Sequence, residues 1–314
     1  MDTTPLPSPR ALVTGATAGI GAEFARQLAA TGHDLVLVAR DETRLQERAS
    51  ELRAEFGIAV EVLAANLVDR AELAIVEARL ATSGADRATV LVNNAGVGLL
   101  KPFGENLVDE EQRLVDLLVT APMRLAHAAL RQMLSAGSGT IVNIASVAGY
   151  TPRGTYGAAK AWILSFSRWA NLSYRRRGII VTAVAPGFVH TEFHDRMNAS
   201  KDGVPAFLWL DARTLVRLAL RDVARGRAVS IPTLRYKIVV LLSGLLPKRI
   251  VAAGALRGRG PAFCGVCIAA SWAGMRGWRH VPPKNIPHPP CVSSPPEVVP
   301  PGRDHRPGCS AAGC

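Results

Sequence analysis

The sequence predicts an α/β protein: a doubly wound parallel sheet of about seven strands, covered by helices on both faces. Short runs of β-branched and aliphatic residues alternate with amphipathic helical segments between residues 10 and 231. Strands and helices that alternate at this spacing form right-handed β-α-β crossovers. Small, amide and hydroxyl residues follow several of the strands, at the edge where such sheets bind ligands. The pattern therefore predicts both the fold class and the location of a site.

Composition narrows the possible classes of protein. The 314 residues are 48% hydrophobic, which is enough for a large core, and the net charge is +12. Lys and Arg are not clustered with aromatic residues before residue 258, so nucleic acid is not a predicted partner. All five cysteines follow residue 263, and the N-terminus has no apolar signal segment. These features predict a cytoplasmic protein without disulfides in its body.

Changes in composition divide the chain into three segments. Residues 1–9 are rich in Pro, Thr and Ser and are predicted to be flexible. Residues 10–257 carry the alternating pattern and are predicted to form a single domain. Residues 258–314 contain eleven of the 21 prolines and show no periodicity, so a disordered C-terminal tail is expected.

The tail also contains residue types that bind zinc, namely Cys264, Cys267, His280, His288 and Cys291. Only the first two have the spacing of a regular ligand pair, and no second pair follows. Disorder is therefore favoured over a zinc site, and no metal site is predicted anywhere in the chain.

The first strand, residues 11–14, leads into the glycine-rich turn T-G-A-T-A-G-I-G at residues 14–21 and then into a helix. Gly15 would make the sharp turn, while Gly19 and Gly21 would let the backbone approach a phosphate. The N-terminus of the helix would then present free N–H groups to a pyrophosphate. The turn therefore predicts a dinucleotide site that also includes Thr17 and Ile20. The alternative is an ordinary connection between a strand and a helix.

Arg40 follows the second strand, residues 34–39. In a dinucleotide fold this position contacts the adenosine ribose, where an acidic residue binds hydroxyl groups and an arginine suits a 2′-phosphate. The sequence therefore predicts NADP(H) as the preferred cofactor, with NAD(H) as the alternative. A surface arginine paired with Asp41 or Glu42 would also explain the residue.

The remaining elements follow the same alternation. Helices are predicted at residues 42–56, 71–80, 110–136 with a bend at Pro122, 156–177 and 214–225. Strands are predicted at residues 60–64, 90–92, 140–144, 179–185 and 228–231. Residues at the ends of these strands that are candidates for the cofactor site are Asn93, Ala95, Gly96, Pro186 and Gly187, and Asn66 and Leu67 follow the strand at residues 60–64.

Residues 141–160 hold the candidate catalytic groups. Ser146 follows the strand at residues 140–144, and Tyr156 and Lys160 are one turn apart on a predicted helix. A nearby ammonium group favours the tyrosinate, so the phenol can exchange a proton with a ligand oxygen that Ser146 also binds. Taken alone, the Tyr-x-x-x-Lys spacing is equally typical of an amphipathic helix with an exposed lysine. The signals upstream favour the catalytic interpretation.

Together these stretches resemble the short-chain dehydrogenase/reductase family. The matching motifs are the turn at residues 14–21, N-N-A-G at 93–96, the strand before Ser146, Y-G-A-A-K at 156–160 and P-G-F-V-H-T at 186–191. The resemblance implies a Rossmann-like fold, a nicotinamide cofactor and interconversion of a carbonyl and a secondary alcohol.

The resemblance also implies roles for individual residues. Tyr156 would be the acid/base, and Lys160 would lower the pKa of Tyr156 and hold the nicotinamide ribose. Ser146 would bind the substrate oxygen. The residues near the carboxamide and the pyrophosphate would be Pro186, Gly187, Val189 and Thr191.

The chain departs from the family pattern in three places. Leu118 replaces an asparagine that helps to hold a water linking the lysine to solvent, which leaves a nucleotide-binding sensor or scaffold with little catalysis as the alternative function. Asn66 replaces an aspartate at the adenine, where an amide can still form hydrogen bonds. Ser146 and Tyr156 are ten residues apart, fewer than is common in the family, so the pocket is reshaped on that side.

The region after residue 190 is expected to contact the substrate. Apolar side chains there either line a pocket for a small hydrophobic carbonyl or alcohol or pack the lid; they are Phe193, Met197, Phe207, Leu208 and Trp209. Residues 236–246 form an apolar segment that is too short to span a membrane. We expect it to pack on the body or on a second subunit of a homo-oligomer, with a membrane surface as the less favoured alternative.

Overall fold

The structure is a computed structural model that describes residues 8–99, 101–190 and 206–246. These ranges belong to one compact unit, Met1–Phe263. The predicted tail and residues 1–7 of the predicted N-terminal segment lie outside the described residues. Phe193, Met197 and Thr191 also lie outside them, so the expectations for these residues stay predictions.

Seven strands form one sheet in which every neighbouring pair is parallel. The strands are β1 (Arg10–Thr14), β2 (Asp34–Ala39), β3 (Val60–Ala64), β4 (Ala88–Asn93), β5 (Gly139–Ile144), β6 (Ile179–Val184) and β7 (Val229–Ser230). Their order is β3-β2-β1-β4-β5-β6-β7. The strand order reverses between β1 and β4, which is where open parallel sheets bind ligands. The predicted fold class and strand number are confirmed.

Helices connect the strands. They are α1 (Gly19–Ala29), α2 (Glu42–Phe56), α3 (Arg70–Leu80), α4 (Val108–Val115), α5 (Ala121–Ala136), α6 (Gly154–Tyr174), α7 (Ala212–Ala224) and α8 (Leu234–Leu245). Aspartates cap three of them: Asp41, Asp69 and Asp211 accept hydrogen bonds from N–H groups in the first turns of α2, α3 and α7. A side-chain acceptor at this position satisfies a helix donor that has no partner within the helix.

The core lies on both faces of the sheet because successive strand residues point to opposite sides. On one face, Val13 of β1 packs in the same cluster as Phe24 of α1. On the other face, Leu12 of β1 packs in the same cluster as Met133 of α5. All four side chains are fully buried. This double covering explains why the strands are almost continuously apolar.

The helical segment predicted at residues 110–136 is interrupted, and the cause lies near Pro122. The five residues Asp116–Thr120 form a π turn between α4 and α5, in which the N–H of Ala121 donates to the carbonyl of Asp116. Pro122 has no N–H to donate to the carbonyl of Leu118, four residues earlier, and its ring would clash with that carbonyl in a regular helix. The predicted bend at Pro122 is therefore realised as a π turn just before it.

Candidate active site

The glycine-rich turn after β1 needs glycine at three positions. Gly15 and Gly19 have φ angles of +66° and +57°, which favour glycine. A Cβ atom at Gly21 would lie 2.3 Å from Asn94 Nδ2 and 2.3 Å from the carbonyl oxygen of Gly15. Asn94 Nδ2 donates to the carbonyls of Thr14 and Gly15 at 3.0 and 3.1 Å. Glycine at position 21 therefore lets β4 and the turn approach closely.

The N-terminus of α1 follows this turn and has no side-chain cap. Its capping residue is Ala18, whose side chain cannot accept a hydrogen bond. Thr17 is buried and Ile20 half-buried beside it. Free N–H groups and the positive end of the helix dipole bind anions such as phosphate. These residues therefore fit the pyrophosphate of a dinucleotide.

Arg40 lies at the end of β2 with its side chain exposed. The ion pair with Asp41 or Glu42 that would explain it as a surface residue does not form in the described part of the chain. Asp41 instead accepts a hydrogen bond from the backbone N–H of Arg44 at 3.1 Å. The guanidinium group at this position is therefore available to an anionic ligand.

The end of β4 is tied to the end of β1. Thr14 Oγ1 accepts hydrogen bonds from the backbone N–H groups of Asn94 and Ala95 at 2.9 and 3.0 Å. A Cβ atom at Gly96 would lie 3.3 Å from Leu118 Cδ2, so the backbone passes close to the π turn. The segment 93–96 thus lies between the glycine-rich turn and the π turn.

The side chain of Asn93 pairs with that of Asn143 on the neighbouring strand β5. Its Nδ2 donates to Asn143 Oδ1 at 2.9 Å, and Asn143 Nδ2 donates to Ser167 Oγ at 2.9 Å. Among the described residues, Asn93 Oδ1 has no hydrogen-bond partner although it is buried. This amide chain ties β4 to β5 and β5 to α6. It stabilises the strands that carry the site.

The segment after β3 contains the predicted adenine contacts. The backbone N–H of Asn66 donates to Glu72 Oε2 of α3 at 2.6 Å. The side chain of Leu67 is buried, and Asn66 is half-buried. The amide of Asn66 accepts from the N–H of Val68 at 3.4 Å, so it helps to form its own turn.

Ser146 follows β5 and caps a short 3₁₀ turn, Val147–Tyr150. Its Oγ accepts a hydrogen bond from the N–H of Ala148 at 3.1 Å, which leaves the hydroxyl proton for another acceptor. A Cβ atom at Gly149 would lie 2.8 Å from the backbone carbon of Lys160, so the turn lies directly on α6. This close packing accommodates the short connection between Ser146 and Tyr156.

Lys160 is buried one turn below Tyr156 on α6. Its Nζ donates to the carbonyl of Ile144 at the end of β5, at 2.7 Å. The same Nζ lies 5.7 Å from the centroid of the Tyr156 ring. Burial lowers the pKa of Lys160 from 10.5 to about 8. The alternative of an amphipathic helix with an exposed lysine is wrong for this position, because Lys160 is only 6% exposed.

The lowered pKa of Lys160 predicts a pH-dependent cost in stability. Below pH 8 the lysine is protonated in both states, so the folded state bears the full cost of burying the charge. Between pH 8 and 10.5 only the folded state loses the proton, and this favours folding. The free energy of unfolding of the wild type relative to Lys160→Met should therefore rise by about 3 kcal/mol from pH 7 to 10.5.

Chemical denaturation across this pH range measures the difference. The same substitution at Lys237, whose side chain is exposed, is the matched control for the loss of one lysine. A difference that stays constant with pH for Lys160→Met would show that the ammonium group of Lys160 is not desolvated in the folded protein.

A small cavity adjoins Lys160. Its volume is about 10 Å³, enough for roughly one water molecule. It is lined by residues of β1, β4, the π turn, α5 and α6, among them Thr14, Asn93, Leu118, Pro122 and Lys160. The cavity therefore borders both Lys160 and the end of the π turn, where Leu118 and Pro122 lie.

The Pro-Gly segment after β6 borders the site on its other side. The carbonyl of Pro186 accepts from the N–H of Val147 at 3.0 Å, which links this segment to the turn after Ser146. A Cβ atom at Gly187 would lie 1.8 Å from the ring of Tyr236 on α8. Val189 is buried and forms a bridge with Leu210.

Tyr236 anchors α8 to the Pro-Gly segment. Its hydroxyl accepts a hydrogen bond from the N–H of Phe188 at 2.9 Å and donates to the carbonyl of Leu208 at 2.7 Å. Nearby, Trp209 stacks on His190 with ring centroids 4.8 Å apart, and Phe188 contacts the same indole. This aromatic group includes Trp209, one of the predicted pocket residues.

Sequence reasoning missed two positions that the structure shows to organise the site. Asn94 holds the glycine-rich turn, and its position in N-N-A-G was the available signal. Tyr236 appeared only as the first residue of an apolar segment, and nothing local distinguished its hydroxyl. Its partners are 28 and 48 residues away in sequence.

A family model described as short chain dehydrogenase matches residues 9–202, which is more than half of the chain. The chain belongs to the short-chain dehydrogenase/reductase family. It is 31% identical over 222 residues to the very-long-chain 3-oxoacyl-CoA reductase of Anas platyrhynchos, covering 68% of each chain. Members of this family are oxidoreductases that act on carbonyl or alcohol groups, and this chain is an enzyme of that class.

Solved structures support the same assignment. A short-chain dehydrogenase from Sphingobium yanoikuyae in complex with NADPH is 40% identical, with a TM-score of 0.69 over 76% of this chain and 94% of that chain. The bulky-bulky ketone specific alcohol dehydrogenase from Comamonas testosteroni is 37% identical, with a TM-score of 0.66 and the same coverage. Use of a nicotinamide cofactor by this short-chain dehydrogenase follows from these similarities.

Proposed function

We propose that this short-chain dehydrogenase uses NADP(H) to interconvert a hydrophobic ketone and a secondary alcohol, with Tyr156 as the acid/base. The observation that carries the proposal is the buried Lys160, held on the carbonyl of Ile144 with its ammonium group beneath the Tyr156 ring. A cation at this place stabilises the tyrosinate that remains when the phenol gives its proton to a carbonyl oxygen. Ser146 offers a hydroxyl proton to the same oxygen.

The cofactor supplies the hydride in the reducing direction and accepts it in the reverse direction. The residues that would hold it are those of the glycine-rich turn, the N-terminus of α1, Arg40 and the segments after β3, β4 and β6. Arg40 supports NADP(H) over NAD(H) because a guanidinium group binds phosphate through charge and a bidentate fork. The NADPH complex of the 40% identical Sphingobium protein also supports this preference.

The substrate class rests on the aromatic residues near the site. Phe207 is exposed, and Phe188 and Trp209 contact each other beside the Pro-Gly segment. A surface of this kind suits an apolar substituent. The 37% identical Comamonas protein is named for bulky ketones, and we propose a substrate of the same class here. A cytoplasmic location and a homo-oligomer, both expected from the sequence, belong to the same proposal.

The replacement of asparagine by Leu118 need not interrupt proton transfer between Lys160 and solvent. Pro122 leaves the carbonyl of Leu118 without its regular helical donor, and both residues line the cavity beside Lys160. A water molecule there can donate to this carbonyl and accept from the ammonium group, as a buried water between polar groups does. We therefore assign the relay to the backbone of Leu118 rather than to its side chain.

This assignment predicts the outcome of Leu118→Asn. The side chain packs with Leu114 and Ala159, so a buried amide should lower the free energy of unfolding by about 1–3 kcal/mol. The turnover number kcat should not rise, because the backbone carbonyl is unchanged. Steady-state kinetics and denaturation measure both effects, and Leu118→Met serves as the control of similar volume. A rise in kcat of about tenfold or more would show that the leucine limits proton transfer.

Reduction of a ketone series tests the function directly. With the full-length protein, NADPH oxidation at the nicotinamide absorbance should be observed, and kcat/KM should increase with the apolar bulk of the ketone. NADH should support a lower rate. Tight binding of NADPH without turnover of any ketone or aldehyde would instead favour the nucleotide-binding sensor or scaffold.

A further inference from the structure

Helix α8 carries an exposed apolar face, which no element within residues 8–99, 101–190 and 206–246 covers. Four aliphatic side chains on this face are between 47% and 74% exposed: Leu234, Ile238, Leu241 and Leu245. By contrast, Tyr236 is 3% exposed and is the one buried residue of the helix, all of whose residues the structure describes. Large aliphatic side chains grouped on one exposed surface indicate an interaction site.

The four residues form a continuous stripe. They occur at intervals of four, three and four residues, which places them on one side of a helix. Tyr236, Val240 and Ser243 occupy the opposite side and are buried or half-buried. The helix is therefore anchored along one side and offers its aliphatic stripe on the other. No helix within residues 8–99, 101–190 and 206–246 is long and apolar enough to cross a bilayer.

Basic residues border the stripe on both sides. At 100° per residue, Arg235 and Lys237 project to opposite flanks of the line through Leu241 and Leu245. Both side chains are exposed, and Arg235 also donates to the carbonyl of Phe207. This arrangement is typical of helices that lie in the interface of a membrane, with the aliphatic face in the acyl region and the cations among the headgroups.

The charge of the surrounding sequence points to an anionic partner. Between Asp222 and Glu297 the chain contains eleven Lys or Arg and no acidic residue. Two of the eleven, Lys248 and Arg249, follow α8 directly after Pro247. A second copy of the same chain packed on this face would bring together the exposed Arg235 and Lys237 of both helices, and like charges at an interface oppose association. An anionic lipid surface can bury the aliphatic stripe and attract the basic residues beside it.

We propose that α8 docks the protein on an anionic lipid bilayer, lying in the plane of the membrane with Leu234, Ile238, Leu241 and Leu245 inserted. Insertion buries aliphatic side chains that water otherwise contacts, and the basic residues are attracted to the negative surface. The docking is peripheral, since α8 lies flat on the bilayer. It does not depend on the cofactor or the substrate of the active site.

Sedimentation with lipid vesicles tests the proposal. The full-length protein is mixed with vesicles of phosphatidylcholine alone or with about one third phosphatidylglycerol, at low and high salt. Binding to the anionic vesicles should be at least about tenfold stronger than to phosphatidylcholine, and it should weaken in high salt because the cations are then screened.

Two variants separate the stripe from general hydrophobicity. Leu241→Glu combined with Leu245→Glu should lower binding to the anionic vesicles by about tenfold or more while ketone reduction in solution stays unchanged. Ile75→Glu is the matched control, because Ile75 is 54% exposed on α3, outside the α8 stripe. Its binding should equal that of the wild type.

The outcomes that overturn the proposal are distinct. If the wild type stays in the supernatant with both vesicle types, α8 does not dock on lipid. If, in addition, light scattering shows that the double variant has a smaller molecular mass in solution than the wild type, a second copy of the chain covers the stripe. Equal loss of binding in the double variant and in Ile75→Glu would assign membrane binding to nonspecific adhesion.

Discussion

Replacing Tyr156 by phenylalanine is expected to lower kcat by about 10²- to 10⁴-fold, the contribution of a positioned general acid or base. The ring packs against Leu114, Leu118 and Ala159, and phenylalanine retains that packing. Lys160 keeps its hydrogen bond to the carbonyl of Ile144, so the fold around the site should be unchanged. Single-turnover reduction of a ketone, with NADPH affinity measured separately, gives the loss in the chemical step.

Tyr150 provides the matched control. It lies in the 3₁₀ turn after Ser146, and its hydroxyl accepts a hydrogen bond from Arg168 Nη2 at 3.1 Å. Burial raises the pKa of Tyr150, which makes it a poor proton donor at neutral pH. Tyr150→Phe should therefore retain kcat. If Tyr156→Phe kept full activity, the acid/base assignment would be wrong, and loss of activity in Tyr150→Phe alone would move the role to the neighbouring tyrosine.

The second large effect is expected from Arg40→Asp, which should reverse the preference between the two cofactors. Removing the guanidinium group deletes charge-assisted hydrogen bonds to the 2′-phosphate, and the new carboxylate repels that phosphate. The same carboxylate can accept hydrogen bonds from the ribose hydroxyls of NAD(H). The ratio of kcat/KM for NADPH to that for NADH should fall by about 10²-fold, since each such bond to a charged group contributes about 1.5–3 kcal/mol.

An arginine on another element controls for net charge. Arg217 is exposed on α7, and Arg217→Asp changes the charge of the protein by the same amount. This variant should leave the cofactor ratio unchanged. An unchanged ratio in Arg40→Asp would mean that another group selects the cofactor, and an equal fall in both variants would indicate a long-range effect of charge.

Much of the fold could be predicted because each strand carries its own local signal. The strands β2 and β3 occur at the predicted residues, since each is a short apolar run bounded by turn residues. The strands β4 and β7 differ from prediction by one or two residues at their ends. Parallel pairing follows from the alternation itself, because each helix returns the chain to the same end of the sheet.

Features that depend on distant partners could not be predicted. Pro122 predicts a bend in this helical segment, but the position and type of the π turn at Asp116–Thr120 are visible only in the structure. The buried amide of Asn93 has its partner 50 residues away, and no local pattern indicates that it pairs with Asn143 of the neighbouring strand. The exposure of α8 could not be predicted either, because an apolar segment of this length more often packs against the core of its own domain.

The hydroxyl of Tyr236 has a further consequence, because one phenol joins α8 to the backbone at Phe188. Both the ring and the hydroxyl of Tyr236 contact the Pro-Gly segment, so immobilising α8 should also restrain the segment beside the catalytic groups. Deuterium uptake at the Phe188 amide would register that restraint, since its proton exchanges only when its hydrogen bond to Tyr236 opens. Exchange at this one amide should therefore slow when a bound surface immobilises α8.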